Sequence, residues 1–140
     1  MEAAVFERPG LEFLKLIDVE EPKITDHYVL IRVKVAGVNP FYFRAVSGGV
    51  DVKSLRHIPG AELSGVVERI GNHVTNIKEC DRAIVYSRVF DGTCDLCLNQ
   101  SEMLWKNGGI IGVVTNGGFA EYNSVPDRNV FKIPEKWIGI

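Results

Sequence analysis

The stretch from His57 to Tyr86, HIPGAELSGVVERIGNHVTNIKECDRAIVY, constrains the fold more tightly than any other part of the chain. Ile58-Pro59-Gly60 joins a fixed φ to a residue without a Cβ, so the backbone can turn sharply before a strand over 63–70. Ala61, Ser64 and Gly65 leave little side-chain volume there, which lets another backbone or a ligand come close. Gly71-Asn72 ends the strand, and a second one returns over 82–86. Ile77 is an apolar anchor in the polar connection between them.

A strand pair needs further partners to be stable, and the flanking sequence offers them. Tyr28 to Val35 alternates Val29, Ile31, Val33 and Val35 against Leu30, Arg32 and Lys34, the period of a half-buried strand. Ala3 to Phe6 and Leu14 to Val19 form a hairpin across Arg8-Pro9-Gly10, which Glu21-Pro22 terminates. Asn39-Pro40 opens a short helix to Val46, since Asn can cap and Pro suits the first helical position. Residues 88–118 are a long irregular lobe, and a compact domain rarely keeps such a loop without a staple or a function. Strands over 119–125 and 130–133 close the chain around Pro126-Asp127.

At 140 residues the chain is the size of one domain with one core. A formal charge of -2 and a pI near 5.9 give no basic footprint for nucleic acid. No apolar run approaches the roughly 20 residues that span a bilayer, and Glu2 and Glu7 stand where a signal peptide would be basic. We therefore expect a cytoplasmic protein with neither nucleic acid nor membrane as partner. Three cysteines, two of them in a Cys-x-x-Cys pair, make no secreted disulfide framework.

The wording I-P-G-x-E-x-x-G-V-V-x-x-x-G-x-x-V followed by K-x-x-D-R-x-x-V-Y resembles the N-terminal domain of medium-chain alcohol dehydrogenases and their quinone-reductase-like relatives. Ala36-Gly37-Val38-Asn39-Pro40 and Gly117-Gly118-Phe119-Ala120-Glu121-Tyr122 fit the same pattern in the same order. The resemblance implies a mainly β fold, a GroES-like antiparallel β-barrel with short helices and an extended lobe. It assigns residues 1–134 to that domain, 91–112 to a lobe like the family's structural zinc loop, and 135–140 to the start of a connection to an absent cofactor domain. It also implies NAD(P)-dependent hydride transfer to or from an alcohol, carbonyl or quinone.

Several positions depart from the zinc-type pattern. Asn39 stands where the resemblance places a ligating Cys, Tyr42 where it places an Asp, and Ala61 where it places a His; an amide and a methyl group cannot build an open zinc site. Asn39-Pro40 instead resembles the zinc-independent branch, which implies that Asn39, Tyr42 and Glu62 lie on the substrate side. A competing role for Glu62 is hydrogen bonding within the barrel. In the lobe, the resemblance aligns Asp91, Cys94, Cys97 and Trp105 with a C-x2-C-x2-C-x7-C zinc pattern. Asp91, Cys94 and Cys97 could hold a structural zinc, but an indole N–H cannot ligate; free thiols and a redox pair stay open as alternatives.

No G-x-G-x-x-G lies between a strand and a helix, so Gly108-Gly109, Gly112 and Gly117-Gly118 read as loop glycines and the chain alone is expected to bind no NAD(P). Catalysis by the chain alone is then not expected, and a competing reading is a non-catalytic barrel that associates with itself or a partner through an exposed apolar face. Cys80 occupies a turn where the resemblance implies Gly, and a positive φ there would cost about 1 kcal/mol. His57 is a weaker candidate for acid–base work.

Overall fold

The computed structural model describes residues 1–137. Nine strands are β1 (Glu2–Phe6), β2 (Leu14–Asp18), β3 (Tyr28–Ala36), β4 (Leu63–Ile70), β5 (Arg82–Val85), β6 (Arg88–Val89), β7 (Gly109–Ile110), β8 (Tyr122–Pro126) and β9 (Val130–Lys132). Two short α-helices, α1 (Pro40–Val46) and α2 (Asp95–Leu98), and three single 3-10 turns complete the described elements.

The centre is a five-stranded antiparallel sheet in the order β8-β3-β4-β5-β9. The strand over 63–70 is present as read, and Gly65 explains how tightly it pairs: a Cβ at that position would lie 2.1 Å from the Arg32 carbonyl oxygen on β3. The space that the small residues open is therefore filled by a neighbouring strand. Val29, Ile31, Val67, Ala83 and Val125 form the core of this sheet, and Ile77 from the polar connection packs into it.

The alternation read for β3 holds only in part. Leu30, placed on the polar face with Arg32 and Lys34, is fully buried, whereas Val35 is 48% exposed. Register shifts between Leu30 and Ile31 and between Val33 and Val35 account for this, because a bulge turns the next side chain to the opposite face.

The first hairpin pairs Glu2–Phe6 with Leu14–Asp18. The bridges Ala3 to Ala120 and Phe6 to His57 fasten it to the rest. The ladders do not run on into one closed barrel: the described strands form an open five-stranded sheet, this hairpin and the small β6-β7 pair.

The Ile58-Pro59-Gly60 turn is the joint between these parts. Gly60 has φ 106°, and the segment Gly117–Phe119 docks against it through Gly117 N–H to Ile58 O at 2.7 Å, Gly118 N–H to Gly60 O at 2.7 Å and Phe119 N–H to Pro59 O at 3.0 Å. A Cβ on Gly117 would meet the Gly60 carbonyl oxygen at 2.3 Å, so backbone contact is what this glycine serves. Asn123, 2% exposed on β8, donates to the carbonyls of Asn116 and Gly117 and fixes the segment from the other side.

Cys80 does adopt a positive φ, 68°, in the turn between β4 and β5. Beside it Asp81 accepts from Lys132 at 2.7 Å and from the Lys78 backbone. The Lys132 hydrogen bond holds the Asp81 carboxyl below its usual range, and Asp81 in turn raises Lys132. The residues 135–140 read as a connection are a turn at 135–136; 138–140 lie outside the described residues.

Candidate functional site

Asn39, Tyr42 and Glu62 come together where β3 gives way to α1 and the Gly60 turn enters β4. Asn39 is in the N-cap position with extended backbone, and Pro40 is the first helical residue. Its side chain does not cap the helix, contrary to the reading above. Instead Asn39 Nδ2 donates to Glu62 Oε2 at 2.7 Å. A carboxylate oxygen is a strong acceptor for an amide N–H.

Gly37 makes room for this pair. A Cβ there would lie 2.7 Å from Glu62 Oε2, while the Gly37 N–H donates to the Glu62 carbonyl at 2.9 Å. Glu62 is exposed and Asn39 half-buried, so the carboxylate keeps a free oxygen toward solvent. An open apolar groove of about 220 Å³ adjoins it, lined by Val35, Leu63, Ile84 and Val85.

Tyr42 lies behind the pair. The residue is 4% exposed, and its Oη accepts from the Ala61 N–H at 2.8 Å. Phe119 packs edge-on against the ring at 5.1 Å between centroids. Tyr42 thus holds the backbone that carries Glu62. Phe119 was quoted in the sequence only as part of the Gly117–Tyr122 motif and was given no role at the site. Of the aromatic neighbours, Phe41 is half-buried and Phe43 is 55% exposed.

His57 does not line this site. It is 1% exposed, stacks edge-on with Phe6, and neither ring nitrogen has a hydrogen-bond partner. Burial lowers its pKa; the Gly112 backbone, close but outside hydrogen-bonding geometry, opposes the shift without cancelling it. A neutral packed imidazole replaces the acid–base role considered for it.

The lobe brings its own three residues together. The ligand atoms of Asp91, Cys94 and Cys97 all lie within 4.8 Å of one another, and this is the one such group of three among the described residues. Asp91 Oδ1 accepts from the backbone N–H groups of Thr93 at 2.7 Å and Cys94 at 3.0 Å, which holds the carboxyl below its usual range. Its third contact is Cys97 Sγ at 3.3 Å. Burial is the main cause that raises the Cys97 thiol, with Cys94 adding to it. The set fits three of the four donors that a structural zinc needs.

The glycine pairs carry no phosphate turn. Gly109 is in β7, and Gly112, Gly117 and Gly118 pack on the 58–60 turn, with no α-helix after any of them among the described residues.

The described residues thus build an antiparallel β domain with an amide–carboxylate pair beside an open apolar groove and a lobe that carries two thiols and a carboxylate. The family profile of the alcohol dehydrogenase GroES-like domain matches residues 25–135, and the chain belongs to that family. It is 39% identical to an alcohol dehydrogenase of Geobacillus stearothermophilus, over 96% of this chain and 40% of the relative. It is 34% identical to the human quinone oxidoreductase, over 94% of this chain and 33% of the relative. A solved cobalt- and zinc-bound thermostable alcohol dehydrogenase from Pyrobaculum aerophilum superposes with a TM-score of 0.90 at 46% identity, over 94% of this chain and 41% of that one. The chain thus spans about 40% of the length of these relatives or less. No described helix is long and apolar enough to cross a membrane.

Proposed function

We propose that these 140 residues are the substrate-side part of an NAD(P)-dependent oxidoreductase acting on an alcohol, a carbonyl compound or a quinone. The observation that carries the reading is the Asn39–Glu62 bond beside the open apolar groove. Bound NAD(P), held by a second domain, would supply the hydride chemistry. The chain's own groups then orient the substrate: the apolar wall takes its carbon skeleton, and the free oxygen of Glu62 accepts from a substrate hydroxyl. Asn39 keeps that carboxylate aimed, and Tyr42 fixes the backbone beneath it. Asn39, Tyr42 and Ala61 offer no zinc donor of the Cys, His or Asp type at this place, so the orienting work falls to hydrogen bonds.

By this reading the 140 residues have no hydride donor and do not turn over by themselves. A chimera of residues 1–134 with the dinucleotide domain of the Geobacillus relative tests it. Saturable turnover that drops at least tenfold in Glu62→Gln and Asn39→Ala, with unchanged melting curves, is the expected result. Turnover indifferent to both changes would remove the assigned roles.

In the lobe, Asp91, Cys94 and Cys97 would hold a zinc ion, which would staple this irregular segment. Native mass spectrometry should find one zinc per chain, lost in Cys94→Ser; a metal-free chain after zinc dialysis would reject this.

A second reading, self-association, is favoured by one row of side chains. Val35, Ser64, Ile84 and Phe131 are in register across four adjacent strands, and Val35, Ile84 and Phe131 are 48%, 52% and 56% exposed. Such a stripe tends to be covered by association. Sedimentation should show a mass that rises with concentration and reverts to the monomer in Ile84→Lys; a strict monomer would exclude it.

A further inference from the structure

The sulfurs of Cys94 and Cys97 are 3.1 Å apart, about 1 Å more than a disulfide bond requires. Both residues are half-buried, so a small reagent can reach them. The backbone keeps them together: the Cys97 N–H points at Cys94 Sγ at 3.4 Å, and Asp91 Oδ1 ties the Cys94 N–H to Cys97 Sγ. The position that would close a ring of four thiolates is Trp105, which has no lone pair to offer a metal. The two sulfurs are therefore close, reachable and not locked into a complete metal cage.

We infer that, when the lobe holds no zinc, Cys94 and Cys97 form a thiol–disulfide exchange site that reacts with small-molecule disulfides of the glutathione type. One thiolate attacks a sulfur of the reagent, a mixed disulfide forms, and the first reagent thiolate leaves. The neighbouring thiol gives its proton to solvent and displaces the second reagent thiolate. One S–S bond is consumed and one is made; two electrons pass from the dithiol to the reagent, which leaves as two thiols. Cys80 is exposed, sits in the turn between β4 and β5, and is not among the sulfurs bonded to this pair. It can form only a mixed disulfide, which makes it an internal control.

The test equilibrates the full 140-residue protein with glutathione buffers from fully reduced to fully oxidised. A chelator is present throughout, so metal occupancy does not enter. After acid quench and alkylation, intact mass and peptide mapping follow each cysteine. The expected result is loss of two hydrogens and a Cys94–Cys97 linked peptide within the buffer range, with Cys80 alkylated or glutathione-bound. In Cys97→Ser the linked peptide is lost and a glutathione adduct accumulates on Cys94. Circular dichroism confirms that both proteins are folded during the reaction. Cys94 and Cys97 fully alkylated in oxidised glutathione, or carrying separate adducts as Cys80 does, would overturn the inference. So would a linked peptide that joins Cys80 to either.

Discussion

Replacing Tyr42 by Phe removes one oxygen and leaves the ring that packs on Phe119. The Ala61 N–H then loses its acceptor in a place where Tyr42 is 4% and Ala61 5% exposed, so water does not readily replace it. Leaving a buried donor unsatisfied costs about 1–3 kcal/mol. Unfolding entropy is about 2.1 cal/mol/K per residue, or roughly 0.3 kcal/mol/K for 140 residues, so Tm should fall by roughly 3–10 °C. Asn39→Ala provides the contrast. An N-cap Asn ordinarily stabilises its helix, but this side chain makes no cap bond and spends its amide on exposed Glu62, so stability should change by no more than about 0.5 kcal/mol. Thermal melts followed by circular dichroism at one protein concentration decide the matter. An unchanged Tm in Tyr42→Phe, or a larger loss in Asn39→Ala than in Tyr42→Phe, would refute the division into a supporting tyrosine and a working amide.

Gly65→Ala should drive β3 and β4 apart, since the new methyl would sit 2.1 Å from the Arg32 carbonyl oxygen; we expect a loss above about 3 kcal/mol, read as a lower urea midpoint, and an unmoved midpoint contradicts the packing described. Stability should be full above the unfolded histidine pKa near 6.5 and decline as pH falls below it, because buried His57 resists protonation while the unfolded chain accepts it; His57→Phe should flatten that limb, and an equal slope in both proteins rejects the assignment. A separate acid limb belongs to Asp81: its folded pKa lies below the usual 3.8, so its contribution is present above that value and is lost as pH falls through the folded pKa. Lys132→Met should weaken this second limb and leave the first unchanged in equilibrium urea titrations between neutral and acidic pH.

The strands of the central sheet could be read from the sequence to within a residue, because β-branched runs and turn residues agree over 28–35, 63–70 and 82–86, where the structure has Tyr28–Ala36, Leu63–Ile70 and Arg82–Val85. What could not be read is how those strands meet. Leu30 and Val35 change faces through bulges, and a period-2 pattern has no term for an inserted residue. The glycines near 117 could be excluded as a phosphate turn, but their use against the Gly60 carbonyl depends on contact between segments far apart in sequence. At the site, resemblance placed Asn39, Tyr42 and Glu62 in one neighbourhood, yet their division of labour is a matter of distances. An Asn before a Pro reads as a helix cap, and nothing in the local sequence shows that its amide instead donates to a carboxylate 23 residues away. Asp91, Cys94 and Cys97 were grouped by the resemblance to a zinc loop, and the structure brings their ligand atoms within 4.8 Å of one another. His57 was only a weaker candidate, and how deeply it packs could not be read, because a histidine beside a turn gives no sign of its burial.

The central claim is that these residues orient substrate and take their hydride donor from elsewhere. It is tested most directly by following NADH and NADPH absorbance with the purified 140-residue protein against a panel of aldehydes, ketones and quinones. The account predicts oxidation at the protein-free rate for every pair, with no saturation in either component. Saturable oxidation with any substrate, proportional to protein and abolished by Glu62→Gln, would contradict it and place the cofactor site within these residues.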